Sequence, residues 1–144
     1  QDPNTAYHSS FCNLVFKKEN GPMGDLFDIT LPILLSAVDK QNLQLKDLFR
    51  IRIGLVTRTP EPIIHPAHKD FHTPHKTGLY YLNQADGNTI VYNETKESDK
   101  YSVKESIEPK LNRWYNFDGA HYHSSTTPTQ TEKRIVITFN YETN

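Results

Sequence analysis

Four of the chain's seven histidines, His65, His68, His72 and His75, fall within the eleven residues HPAHKDFHTPH. One metal ion cannot use them all, so spacing has to select among them. His68 and Asp70 stand at i and i+2, and in an extended segment both side chains point to one face while Lys69 turns away. A neutral imidazole and a carboxylate, completed by a distant histidine, form a three-donor face that suits non-haem Fe(II) and leaves coordination positions open for substrate and oxygen. The His-x-Asp spacing recurs by chance, and an exposed polar loop is the plain alternative. His68 and His72 also have the i, i+4 spacing of a helical zinc pair, but Pro66 and Pro74 argue against a helix across them. His72 shares parity with His68 and Asp70 and is expected at a pocket mouth. His65 and His75 are expected to be loop residues, and His8 is terminal.

A second cluster lies downstream in FDGAHYHSS, residues 117 to 125, far enough away for a sheet to return alongside the first. His121 and His123 share strand parity, so alternation does not choose between them. RIVITFNY, residues 134 to 141, then places Arg134, Val136, Thr138 and Asn140 on one face of a strand otherwise made of core residues. An arginine inside a β-sandwich must be paired or it costs several kcal/mol. A dicarboxylate would pair it through the bidentate guanidinium–carboxylate geometry, with the Thr138 hydroxyl adding a hydrogen bond. The alternative is an Arg134 facing solvent beside Glu132 and Lys133. Charge accounting favours the interior reading: Fe(II) with two neutral histidines and one aspartate keeps one net positive charge, Arg134 adds another, and a dianion neutralises both.

The elements that must position these groups are mostly short strands. Phe11 to Lys18 alternates, with Cys12, Leu14 and Phe16 expected on one face and Cys12 expected as a small core side chain. A helix of three turns at most is expected after a Thr30 N-cap, with Pro32 in its first turn and Ile33, Leu34, Ala37 and Val38 following. Strands are expected at about 48–58, 77–83, 89–93, 113–117, 121–125 and 134–141, with a turn at Asp86-Gly87-Asn88 and an exposed connection at 94–100. Tyr80 is expected to pack plainly and Trp114 to sit in the core. Many short strands with turn signals between them predict an all-β fold with minor α, a sandwich or jelly roll.

A length of 144 residues implies one domain, with 1–47 as an N-terminal strand and helix support and 48–144 as the core carrying the site. Sixteen basic against seventeen acidic residues leave a net charge of −1, so nothing in the charge calls for nucleic acid or a membrane surface. A single cysteine excludes an intrachain disulfide framework and a cysteine-rich zinc site. The apolar run from Ile29 to Val38 is too short to cross a bilayer, and no leader pattern opens the chain. These features predict a soluble, cytoplasmic protein, and the missing initiator Met suggests a trimmed start. One short helix is little to buttress a sheet, which predicts either a partner subunit, such as a second copy in a homodimer, or residues ahead of Gln1.

The last 80 residues or so resemble the Fe(II)/2-oxoglutarate-dependent dioxygenases, in their small prolyl-hydroxylase-like branch. The resemblance rests on HKD (68–70), YYLN (80–83), the DGN turn before Thr89, FDGAHYHS and RIVITFNY, in the family's order. It implies a double-stranded β-helix with iron between the sheets, ligated by His68, Asp70 and a later histidine. In similar sequences that ligand comes a few residues after FDG, directly before a small residue and about ten residues ahead of the arginine, which fits His123 better than His121. The resemblance also implies that Arg134 binds the far carboxylate of 2-oxoglutarate, helped by Thr138 and the Tyr81 hydroxyl. Three positions depart from the family. Asn88 replaces a common glycine, Asn140 replaces the second arginine of nucleobase demethylases, and Arg58 replaces a cosubstrate-binding tyrosine ten residues before the first ligand. The last argues against a prolyl substrate and offers Arg58 to an acidic one.

The expected activity is therefore Fe(II)- and 2-oxoglutarate-dependent hydroxylation of a C–H bond in a small molecule or peptide, releasing succinate and CO2. A cupin-like metal-binding protein without oxygenase activity and a purely structural β-sandwich are the competing readings.

Overall fold

Lys133–Thr143 (β9) is filled with β-branched and aromatic residues, and both of its edges are paired, so it forms the centre of the larger sheet. In the computed structural model, which describes residues 10–144, that sheet also contains Ser10–Lys17 (β1), Gly21–Pro22 (β2), Leu45–Thr57 (β3), Lys76–Tyr81 (β4) and Trp114–Asp118 (β7), in the order β2-β1-β3-β9-β4-β7. Thr89–Tyr92 (β5), Val103–Ile107 (β6) and His123–Ser125 (β8) form a second sheet in the order β6-β5-β8. Antiparallel bridges at Ile64↔Thr126 and His68↔His123 lay the segment before β4 along the free edge of β8. The two facing sheets are those of a jelly roll, the double-stranded β-helix expected from the sequence.

Each face of the larger sheet has its own core. On the outer face, Ile51, Ile137, Phe139 and Tyr141 pack with Leu34 and Val38 of the helix Phe27–Lys40 (α1). Between the sheets, Leu79, Tyr81 and Val136 meet Val91, Ile107 and Phe117. Register fixes which polar groups share that inner face. Arg50, Arg52, Gly54 and Val56 of β3 stand opposite Asn140, Thr138, Val136 and Arg134 of β9, and Thr77 and Leu79 of β4 stand opposite Asn140 and Thr138 from the other side.

Local structure departs from simple patterning in four places. A bulge between Leu14 and Phe16 breaks the alternation of β1 and sends Val15 into the outer core. Cys12 is consequently not a core residue but an exposed one, opposite Gly54 on the cavity side. The helix starts earlier than expected, at Phe27, and runs 14 residues. Thr30 is not its cap: the Thr30 hydroxyl donates back to the carbonyls of Leu26 and Phe27, at 2.8 and 3.2 Å, from inside the helix. Strand β6 has no periodic signal because it lies at a sheet edge, where only Ile107 is buried. Strand β8 begins at His123 rather than His121, because His121 closes a turn onto the Asp118 carbonyl at 3.1 Å. Among the described residues, no helix is long and apolar enough to cross a membrane.

Candidate metal centre and adjoining cavity

The bridge between His68 and His123 is reciprocal. His68 N–H donates to His123 C=O at 3.0 Å, and His123 N–H returns a bond to His68 C=O at 2.9 Å. Such a pair sets two side chains abreast on one face, and the two imidazole rings lie 4.5 Å apart. Two residues beyond His68, Asp70 points to the same place. Its Oδ1 is 3.6 Å from His68 Nε2 and 3.7 Å from His123 Nε2. One donor atom from each of the three residues falls within 4.8 Å of the others. Lys69 turns outward, donating to the Thr95 carbonyl at 2.9 Å and lying over the Tyr122 ring.

The donor set fits a divalent first-row metal, being two imidazoles and one carboxylate converging on a point. The His68 Nδ1 lies 3.1 Å from the Pro66 carbonyl, which fixes the tautomer and leaves Nε2 free to face a metal. His123 packs edge to face against Phe117, and its Nδ1 is buried with no hydrogen-bond partner. The Asp70 side chain is 3% exposed. Burial alone would raise its pKa, but hydrogen bonds and charge from His123 and His68, with the Asn140 amide, hold it far below the usual carboxylate range. The same partnership with Asp70 raises the His68 pKa, outweighing burial.

Asp70 has a support that sequence reasoning missed. Arg50 Nη2 lies 3.2 Å from Asp70 Oδ1, and Arg50 Nε donates to Asn140 Oδ1 at 3.1 Å. Asn140 Nδ2 then donates to Asp70 Oδ2 at 2.8 Å, closing a three-residue ring. Asn140, read from sequence as an absent arginine, works with an arginine supplied by the neighbouring strand. The signal was there: Arg50 and Asn140 are polar positions on the inner faces of two apolar strands.

The other histidines are placed elsewhere. His121 Nδ1 lies 2.8 Å from the Tyr92 carbonyl and Nε2 lies 3.1 Å from Lys104 Nζ, outside the cluster. His72 is exposed and does not line the cavity. His65 does line it, against the Ser125 hydroxyl at 2.6 Å. His75 is a loop residue just before β4, as expected, but a buried one: it is 6% exposed, its ring pressed against Gly119 so closely that a Cβ there would fall 2.2 Å from Nε2. His8 lies outside the described residues. Replacing His123 by Ala is expected to abolish high-affinity Co(II) binding, whereas His121→Ala leaves it within about twofold, as read by the visible absorption of a cobalt titration.

A cavity of ≈ 580 Å³ opens beside the cluster, lined among others by His68, His123, Thr138, Thr89 and Arg134. Arg134 is 3% exposed. Its Nε donates to the Gly87 carbonyl at 2.9 Å and its Nη2 to the Thr89 hydroxyl at 2.6 Å. The Tyr81 ring lies beneath the guanidinium, 5.7 Å from centroid to Cζ. No carboxylate among the described residues pairs with this charge. Burial lowers the Arg134 pKa, yet a guanidinium stays protonated in proteins.

Of the two polar groups expected beside Arg134, one stands as expected and one does not. Thr138 is on the cavity wall as the strand parity required. Tyr81 is wholly buried, and its hydroxyl is shared with Thr89 at 2.7 Å rather than presented to the cavity. Thr89, the residue directly after the DGN turn, is the group that reaches the wall; its place at the start of a strand was visible, its role was not. Arg58 is exposed at the end of β3 and does not line the cavity.

The turn that carries Gly87 is anchored by Asp86. Its carboxylate accepts from the backbone N–H groups of Thr129, Gln130 and Thr131 and from both threonine hydroxyls, at 2.7 to 3.0 Å. Burial works against ionisation here, but those backbone N–H groups outweigh it and hold the carboxyl well below its ordinary range. Gly87 has φ +88° and a Cβ there would meet Thr126 O at 2.6 Å, so no other residue fits. A depressed folded-state pKa stabilises above the unfolded value, about 3.9, and that stability is lost as pH falls toward the folded value. Asp86→Asn is therefore expected to cost about 1 kcal/mol at pH 7, discounted for partial solvation. The gap between the two proteins' urea midpoints should close progressively below about pH 4.

No protein-family model matches the sequence, and no curated protein does. Solved structures do match in fold. A prolyl hydroxylase from Trichoplax adhaerens, in complex with a hypoxia inducible factor oxygen degradation domain peptide, shares 18% identity over 92% of this chain, with a TM-score of 0.59. This chain spans 62% of that enzyme's length. A 2OG-Fe(II) oxygenase family oxidoreductase from Burkholderia pseudomallei aligns over 94% of this chain and 68% of its own, at 15% identity and a TM-score of 0.61. A prolyl-4-hydroxylase from Pseudomonas putida aligns over 94% and 70%, at 13% identity and a TM-score of 0.54. At these identities what is shared is the fold.

Proposed function

We propose that this protein is a non-haem Fe(II) oxygenase that uses 2-oxoglutarate as cosubstrate and hydroxylates a C–H bond of a second substrate. The observation that carries the reading is one cavity with a two-histidine, one-carboxylate cluster at its side and, on the same wall, a buried arginine with no carboxylate partner among the described residues. His68, Asp70 and His123 would hold the iron. With 2-oxoglutarate and O2, the bound iron supplies the oxidising power that converts C–H to C–OH, with succinate and CO2 released.

The chain's own residues do the rest. Arg134, held by Gly87, Thr89 and the Tyr81 face, fixes one carboxylate of the cosubstrate through charge and planarity. Thr138 and Thr89 offer hydroxyls on the same wall. Leu79 and Val136 line the cavity between them and exclude water from the reacting end. Arg50 and Asn140 hold Asp70 in one rotamer, so the metal face is preorganised.

The test is succinate formation by protein loaded with Fe(II) under air, with and without 2-oxoglutarate. Succinate that depends on both supports the assignment. Tight metal binding with no 2-oxoglutarate consumption would instead identify a metal-binding jelly roll without redox chemistry.

A further inference from the structure

Arg52 is the charge left over. On the inner face of β3 it stands one inward position from Arg50, opposite Thr138 on one side and Leu14 on the other. It lines the cavity together with His68. Arg50 has Asp70, but among the described residues Arg52 makes no ion pair and no side-chain hydrogen bond. Among the described residues no Asp or Glu lines this cavity, whose lining carries two arginines and three histidines. A guanidinium on a partly closed wall without an anion forgoes its strongest interaction.

We propose that Arg52 is a second anion site, distinct from the Arg134 anchor, and that the primary substrate presents a carboxylate to it. Calling the bound group a substrate rests on the oxygenase reading; the anion site itself does not. Under that reading the cosubstrate's far carboxylate is taken by Arg134, and Asp70 is shared between Arg50 and the metal. Arg52 faces Thr138 across the β3–β9 ladder, whereas Arg134 stands opposite Val56, four residues further along β3, so the two positions are separated along the strands. A single planar fork matches a carboxylate, whereas phosphate sites gather several donors, and no helix N-terminus or glycine-rich loop joins Arg52 here. The sequence assigned acid recognition to Arg58; the inner-face register gives it to Arg52, six residues earlier. A small carboxylic acid, such as a free amino acid or a short acidic peptide, fits a cavity of ≈ 580 Å³ shared with the cosubstrate.

Cys12 supplies the reporter. It is the chain's only cysteine, it is exposed, and it lines the same cavity. Its partner across β1 and β3 is Gly54, which makes Arg52 its diagonal neighbour. Iodoacetate and iodoacetamide differ by one carboxylate, so the ratio of their alkylation rates reads the anion preference next to Arg52, and the amide rate controls for exposure of the thiol. On metal-free protein, Arg52→Gln is expected to lower the iodoacetate-to-iodoacetamide ratio about tenfold, with the iodoacetamide rate unchanged. Arg52→Lys, which keeps the charge, should restore most of it, and 1 M NaCl should erase it. Equal ratios in wild type and Arg52→Gln would overturn the site. Because this measurement needs neither metal nor turnover, its failure is separable from failure of the succinate assay. If the site holds, a compound that stimulates succinate release as its acid should fail to do so as its primary amide; equal stimulation by the amide overturns the assignment to substrate.

Discussion

Asp70→Asn protein is expected to lose metal-dependent stabilisation altogether while keeping its fold. Wild-type protein with Mn(II) or Co(II) at a hundred times its Kd gains about 2.7 kcal/mol by mass action, a shift of several degrees in Tm for a chain of this size. Removing the only anionic donor from a set of three should cost about 4 kcal/mol or more in metal binding, a thousandfold in affinity. The metal-free protein tells a different story, which makes the experiment diagnostic. There Asp70 answers Arg50 at 3.2 Å and Asn140 at 2.8 Å, so its replacement leaves a mostly buried guanidinium without its counter-charge. An Asn keeps the shape and one acceptor, and the metal-free penalty should stay near 1–3 kcal/mol. Differential scanning fluorimetry with and without metal separates the two terms. A Tm rise on metal addition that survives in Asp70→Asn would remove Asp70 from the metal site.

Arg134→Leu should raise the Kd for 2-oxoglutarate about a hundredfold in Mn(II)-loaded protein without oxygen, because a bidentate, charge-assisted contact of roughly 3 kcal/mol is lost. Metal affinity should be unchanged, since no ligand touches Arg134. Stability can move either way by a small amount. The Gly87 carbonyl and Thr89 hydroxyl lose their donors, but a buried charge with no carboxylate partner also disappears. Calorimetric titration of the cosubstrate and a parallel cobalt titration read the two affinities independently. Unchanged 2-oxoglutarate binding in the variant would show that Arg134 is a structural clamp on the Gly87 turn.

Much of this was legible in the residues, for identifiable reasons. Strand β9 announced itself because β-branched and aromatic positions alternate with Arg134, Thr138 and Asn140, and period two leaves no choice of face. The pairing of His68 with Asp70 followed from the same rule. Helix α1 was visible as an apolar patch, but its start was misplaced: Thr30 has the chemistry of a cap, and only the packing of Leu26 and Phe27 against the outer core shows that the helix already includes it. Cys12 was assigned to the core by alternation that a bulge interrupts two residues later, a backbone event with no residue signature in this strand.

The sequence by itself determined which residue types could share a face and therefore which chemistry was available: an imidazole beside a carboxylate, a second histidine cluster, an arginine inside an apolar strand. Parity could not choose between His121 and His123, where only the family resemblance favoured His123, and the sequence reading offered Arg58 to an acidic substrate without considering Arg52. Those choices depend on register and on where a turn ends. His121 spends its backbone closing the turn at Asp118, so the edge of β8 that meets His68 begins two residues later. Arg52, not Arg58, faces the cavity because β3 and β9 are paired Arg52 to Thr138, placing it one step from the arginine that holds Asp70. Periodicity is a property of one strand; which residue of that strand meets a particular neighbour is set by hydrogen bonds to a segment 55 residues away for His123 and 86 for Arg52, and only the assembled sheet specifies it.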